Sequence, residues 1–231
     1  PFMKLFSALC LYAFLFSACQ SEIGNSEDVT TASIYMRYNI SYTEGDDSAN
    51  CYLQYLFSGP KGTTLVLNSP SKVELDGTEI MVDSTYLAGA FYSANFTPAT
   101  GKEHIIKFTD IDGKTHEETF TFQPVACTTK VADTINAKNN IVLELSGIQK
   151  GDVLHLGIVD TTFDKNKIEK DITLTNNKVE ITAKELSRMT NGPLVFQMYR
   201  NVEMPFKNGT KEGGSFTVTY SLKPIETELK K

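Results

Sequence analysis

The chain of 231 residues contains no tryptophan, so any flat stacking surface would have to come from its tyrosines and phenylalanines. Arginine occurs only at positions 37, 188 and 200, and no run of Lys and Arg forms a basic patch. Phosphate backbones are bound by clustered cations, so nucleic acid is excluded as a partner. Gly-x-Ser-x-Gly, Gly-x-x-x-x-Gly-Lys and Cys-x-x-Cys are absent, which removes the commonest nucleophile-elbow, P-loop and dithiol readings. No segment keeps a helical period beyond about two turns, so an α-helical core is excluded. No internal repeat links the two halves.

What is there begins with a leader. Lys4 precedes an apolar run over residues 5–16, followed by the small residues Ser17 and Ala18 and then by Cys19. A basic start, an apolar core and small residues before a cut are the three parts of a secretory signal. Roughly a dozen apolar residues fall short of the ~20 that span a bilayer as a helix, which disfavours a permanent anchor of that kind. Pro1 and Phe2 precede Met3 and carry no structural expectation. Without Lys4 the formal net charge of −6 becomes −7, a mildly acidic mature chain.

The end of the leader, Phe16-Ser17-Ala18-Cys19, resembles the lipobox of Gram-negative bacterial lipoproteins. The usual Leu three positions before the Cys is replaced here by Phe16, with Leu15 beside it. The resemblance implies that Cys19 is lipidated and becomes the mature N-terminus, placing the protein in the bacterial cell envelope. It would be held to the outer membrane, facing the periplasm or the surface. More than one acyl chain on one residue gives stable anchoring at about 0.8 kcal/mol per buried CH₂.

After the leader (1–18), residues 19–30 are polar and acidic and read as a flexible, lipidated tether. From Ser33 the pattern turns to period two, with Ile34, Met36, Tyr38 and Ile40 alternating with polar or amphipathic neighbours. Asp76-Gly77 and Asp112-Gly113 sit between alternating runs, the strongest short-range hairpin signal. Asn176-Asn177 reads likewise as a hairpin turn. Thr182-Ala183-Lys184-Glu185 has the form of a capping box and predicts a short helix from Ala183 to Met189. Residues 215–222 alternate cleanly as a strand. The fold class expected is all-β: two tandem immunoglobulin-like β-sandwich domains, at 31–126 and 127–222, with a charged tail at 223–231. In this pattern the whole chain resembles small β-sandwich lipoproteins of Gram-negative bacteria.

Of four cysteines, Cys10 leaves with the leader and Cys19 carries the lipid, so Cys51 and Cys127 remain. An exported chain allows a disulfide. If the first and last strands of the first domain pair in parallel, a Cys51–Cys127 bridge ties the domain's exit to its entry. The alternative is two separate thiols.

Candidate chemistry is sparse. His104 and His116 flank the Asp112-Gly113 turn, and if they face each other across the ladder they would make a zinc site with Glu117 or Glu118. The simpler reading is a surface pair. Asp160, Asp164 and Asp171 read as a solvated acidic loop, and His155 as a satisfied, partly buried histidine. Arg200 interrupts an apolar strand and needs a partner that the sequence does not name. The expectation is therefore no catalytic residues, no metal and no cofactor. The chain reads as a non-enzymatic, membrane-anchored binding or assembly module for an envelope protein or an extracellular ligand. The alternative is a glycan-binding accessory of a polysaccharide-uptake system, signalled by outward aromatics beside Asp, Asn or Gln.

Overall fold

The computed structural model describes residues 22–160 and 166–231. The leader and Cys19 lie outside the described residues, as does Asp164. Among the described residues no helix is long and apolar enough to cross a membrane.

The first described segment, expected as a tether, is folded. β1 (Ile23–Asn25) leads into a 3-10 turn at Ser26–Asp28, and Ser26 is buried, its hydroxyl accepting from the Asn68 amide at 2.9 Å. Backbone pairing and side-chain bonds to distant backbone groups hold this stretch, and neither leaves a hydrophobic period to read. β2 (Ile34–Thr43), β3 (Ala49–Phe57) and β4 (Thr63–Val66) follow, and β1 runs parallel to β4. β5 (Lys72–Leu75) and β6 (Thr78–Glu79) form the expected hairpin, with Asp76 and Gly77 both at positive φ as a tight turn requires. β7 (Val82–Thr85) pairs with β8 (Gly89–Phe96), and β9 (Glu103–Thr109) with β10 (Thr115–Thr121).

The second half contains β11 (Ala126–Cys127), β12 (Thr134–Asn136), β13 (Ile141–Ser146), β14 (Val153–Asp160), β15 (Lys167–Thr173) and β16 (Lys178–Ile181). Next comes α1 (Ala183–Leu186), shorter than expected but closed by both halves of the Thr182/Glu185 capping box. β17 (Gly192–Met204), β18 (Gly214–Ser221) and β19 (Ile225–Lys230) complete the chain. The charged end read as a tail is thus a strand. Thr227 and Leu229 are buried while Glu226, Glu228 and Lys230 point out, an alternation masked by the density of charge.

The fold is all-β, built from stacked sheets in immunoglobulin-like sandwiches. In the first half, the sheet β10-β9-β5-β6 packs on β3, β2 and β18. Ring contacts join the layers: Tyr55 to Phe108 at 4.5 Å, Phe120 to Phe216 at 5.9 Å and Phe122 to Tyr220 at 5.4 Å. In the second half, the small sheet β11-β13-β16 turns Leu143, Leu145, Val179 and Ile181 inward. β14 and β17 bury Leu154, Leu156, Ile158, Phe196 and Met198.

The larger sheet does not stop between the halves. Its path is β1-β4-β3-β2-β18-β17-β14-β15, with β18 lying parallel to β2 from Gly214↔Met36 to Ser221↔Thr43. β17 is long enough to serve both halves. Its first part pairs with β19 and its last part with β18, while β14 lines the other edge. The spans 31–126 and 127–222 therefore share one sheet. Gly214 starts β18 where space is short: a Cβ there would sit 2.3 Å from the Met36 carbonyl oxygen.

Cys51 and Cys127 are both free thiols, which corrects the expected bridge. Cys51 faces the core opposite Ile40, whereas the Cys127 amide meets the carboxylate of Glu44, four residues further along the chain from Ile40. The Cys127 thiol donates instead to the Thr129 carbonyl at 3.6 Å, so the two thiols have separate surroundings. Burial pushes the Cys51 thiol up to about 12, which keeps it unreactive.

Candidate binding face

Alternation along each strand sends one set of side chains into the core and the other to solvent. The inward set contains most of the titratable groups singled out above, and each is held in place by a structural bond. His104 and His116 do not face each other: His104 lies opposite Phe120 and His116 opposite Phe108. Both are buried, so they are not a surface pair either. His104 stacks on Phe120 with its Nδ1 2.7 Å from Asp76, which the β5–β6 turn presents. His116 places Nε2 3.1 Å from Asp110 and Nδ1 2.9 Å from the Asn208 carbonyl. Glu118, two residues on, is buried and accepts from the Lys207 and Asn208 amides. These two β10 side chains clamp the loop between β17 and β18. Asp160, expected in a solvated loop, is buried and accepts from the Asn166 side chain and the Thr190 amide.

Arg200 finds its partner at the junction of the two halves. It is 3% exposed and donates to the Asp152 carboxylate at 2.6 Å, to the Gly147 carbonyl at 3.0 Å and to the Gln123 carbonyl. Its guanidinium lies 5.0 Å from the centre of the Tyr220 ring.

Two of these carboxyls set a pH response. Burial pushes Asp110 up, but bonds from His116 and the amides of Lys114 and Asp112 outweigh it and hold the carboxyl below its ordinary value. Asp76 behaves likewise: burial is outweighed by the Ile105 amide, His104 and the charge of Lys102. A folded-state value below the unfolded one means that protonation favours unfolding. The stabilisation is present above the unfolded value, near pH 4, and is lost as pH falls through the folded values. The urea midpoint is expected to drop from pH 5 to pH 3, and to drop less in a D76N/D110N double variant. Equal slopes for the two proteins would contradict this.

The outward set is different. Across β8, β3, β2, β18 and β17 it presents a nearly uncharged row: Asn95, Asn50, Ser41, Thr219 and Asn201 stand in register. Asn50 donates to Asn95 at 3.1 Å and to Ser93 at 3.0 Å, and Thr219 to Asn201 at 2.9 Å. The charges beside the row are already engaged, Arg37 with Gln54 and the Pro60 carbonyl, Glu203 with Thr217. At one end Tyr52 and Phe91 stack with centroids 5.1 Å apart and planes at 24°. Past the other end, a hollow of about 230 Å³ is lined by Val153, His155, Asp171, Tyr199 and Asn201. There the His155 and Tyr199 rings lie 4.6 Å apart, and His155 Nδ1 is 2.8 Å from Asp171.

Among the tyrosines of the first half, Tyr38, Tyr55 and Tyr92 are core residues, whereas Tyr52 faces outward. Tyr199 was not singled out, although its odd position beside the buried Met198 and Arg200 marks it as outward.

No protein-family model matches the chain, and no curated protein matches it. Among solved structures it is similar to fibronectin(III)-like modules of Clostridium thermocellum CbhA, at 13% identity over 82% of this chain and 89% of that one, TM-score 0.23. It is also similar to SGBP-B of the Bacteroides ovatus mixed-linkage glucan utilization locus, solved in complex with a mixed-linkage heptasaccharide. That likeness has 12% identity, covers 89% of this chain and 67% of that one, and has a TM-score of 0.20. At these TM-scores neither likeness bears on fold or function, which rest on the strands and side chains described above.

Proposed function

We propose that the mature chain is a non-enzymatic binding module of the bacterial envelope, anchored through lipid on Cys19, and that its ligand lies on the outward face of the long sheet. The observation that carries this reading is the continuous row of amides and hydroxyls between two ring pairs, reaching across both halves of the chain. The inward titratable groups support the absence of catalysis, because His104, His116, Glu118 and Arg200 are all engaged in holding loops and sheets together. The leader and its lipobox-like end support export and anchoring.

The test places a photo-crosslinking benzoyl-phenylalanine at Asn39, mid-face, or at Thr115, exposed on β10, in cells producing the protein. A heavier adduct is expected from position 39 and none from position 115. No adduct from either position, or equal adducts from both, would defeat the reading. Intact mass of the same preparations tests the anchor: the expected value is the chain from Cys19 plus acyl groups, and a mass retaining the leader would overturn it.

A further inference from the structure

The outward face carries more than a location. Its chemistry favours one class of ligand, and this step rests on the binding-module reading above. We infer that the face binds a neutral polysaccharide lying across the strands, with one sugar ring seated in the hollow at His155 and Tyr199.

The hollow has the parts that a pyranose needs. Its volume, about 230 Å³, is below the ~300–1,000 Å³ of pockets for drug-sized ligands and suits a single ring. The Tyr199 and His155 rings offer π faces to the apolar C–H side of a sugar. Around the rim, the Asp171 carboxylate accepts from hydroxyls, and the Asn201 amide both donates and accepts. Asp171 fixes the imidazole through Nδ1. No other hydrogen bond occupies Nε2 among the described residues, so it can meet a sugar hydroxyl.

From the hollow, the path continues over Asn201, Thr219, Ser41 and Asn50 to the Tyr52–Phe91 stack. Strands lie about 4.8 Å apart, so the three steps from Asn201 to Asn50 cover roughly 14 Å. That length calls for several linked sugars rather than one. The row consists of amides and hydroxyls, and Asn50, Asn95, Thr219 and Asn201 can each exchange a present side-chain partner for a hydroxyl of the ligand. A charged polymer would meet no matching run of cations or anions along it. The lack of tryptophan is met by pairing rings: Tyr52 with Phe91, Tyr199 with His155.

The test is native affinity electrophoresis of the purified soluble domain, residues 22–231, in gels cast with soluble glucan, mannan, xylan or galactan. Retardation is expected in at least one gel. In that gel Tyr199→Ala and Tyr52→Ala should each weaken binding about tenfold, in line with the loss of one aromatic stack. Thr115→Ala on the opposite sheet should leave retardation unchanged, and a far-ultraviolet spectrum and melting curve confirm that each variant is folded. Retardation that survives both tyrosine variants would overturn the site. No retardation in any gel, with adducts at Asn39 still forming and proving to be protein, would overturn the ligand class and leave the binding-module reading standing. Absence of both signals would end the two together.

Discussion

Replacing Arg200 with methionine is expected to lower the free energy of unfolding by about 3 kcal/mol, the lower end of the range for removing one member of a buried ion pair. The lower end applies because Asp152 keeps 21% of its side chain exposed and can recover some solvation. The loss is electrostatic and polar rather than steric, since methionine refills much of the volume. It leaves the carbonyls of Gly147, in the loop between β13 and β14, and of Gln123, in the connection between the halves, without their donor. Urea denaturation at neutral pH reads the change directly. A loss below about 1 kcal/mol would mean that the contact is no better than a surface pair. Gly147 adds a companion test. It has φ +74°, and a Cβ there would lie 2.0 Å from the Pro124 carbonyl oxygen, so Gly147→Ala forces the connection apart. Because the Gly147 carbonyl also accepts from Arg200, the two substitutions should be less than additive.

The second large effect is expected at Glu118. Glu118→Ala removes a buried acceptor from two backbone amides, and a buried donor left unpaired costs about 1–3 kcal/mol. Two such donors put the loss near 3 kcal/mol, whereas Glu118→Gln keeps one acceptor oxygen and should lose about half as much. A second readout separates loop release from general weakening. Lys207 and Lys211 lie in the clamped loop between β17 and β18, so trypsin should cut there faster in Glu118→Ala than in the parent, before global unfolding. Identical cleavage patterns at matched stability would show that Glu118 does not restrain the loop.

Much of the architecture was written in local signals. The Asp76-Gly77 and Asp112-Gly113 turns, the Thr182/Glu185 cap and the alternation of residues 215–222 all act within a few residues, so they can be read one segment at a time. Partners of strands cannot. Alternation in β18 says which side chains face inward, and nothing in it says that β2 lies alongside. The same limit explains β1, whose three residues are held by pairing alone, and β19, where Glu and Lys on the outer side hide Ile225, Thr227 and Leu229. It also explains the histidines. Their spacing about the turn was visible, but a register placing each opposite a phenylalanine depends on turn geometry to within one residue. At the binding face the individual Asn, Ser and Thr residues are unremarkable in sequence. They become a row only once five strands are aligned.

The parallel pairing of β18 with β2 has a kinetic meaning. Groups that meet beside it lie far apart along the chain, Lys223 and Glu44 by 179 positions. Closing so long a loop is entropically expensive, and nothing rewards it until β18 has been made. During synthesis β2 has to wait, one edge unfilled, for a strand still inside the ribosome. A chain released whole before it folds avoids that interval, because β2 and β18 become free to meet together. Once joined, the seam means that neither half can be trimmed from its end without opening the other.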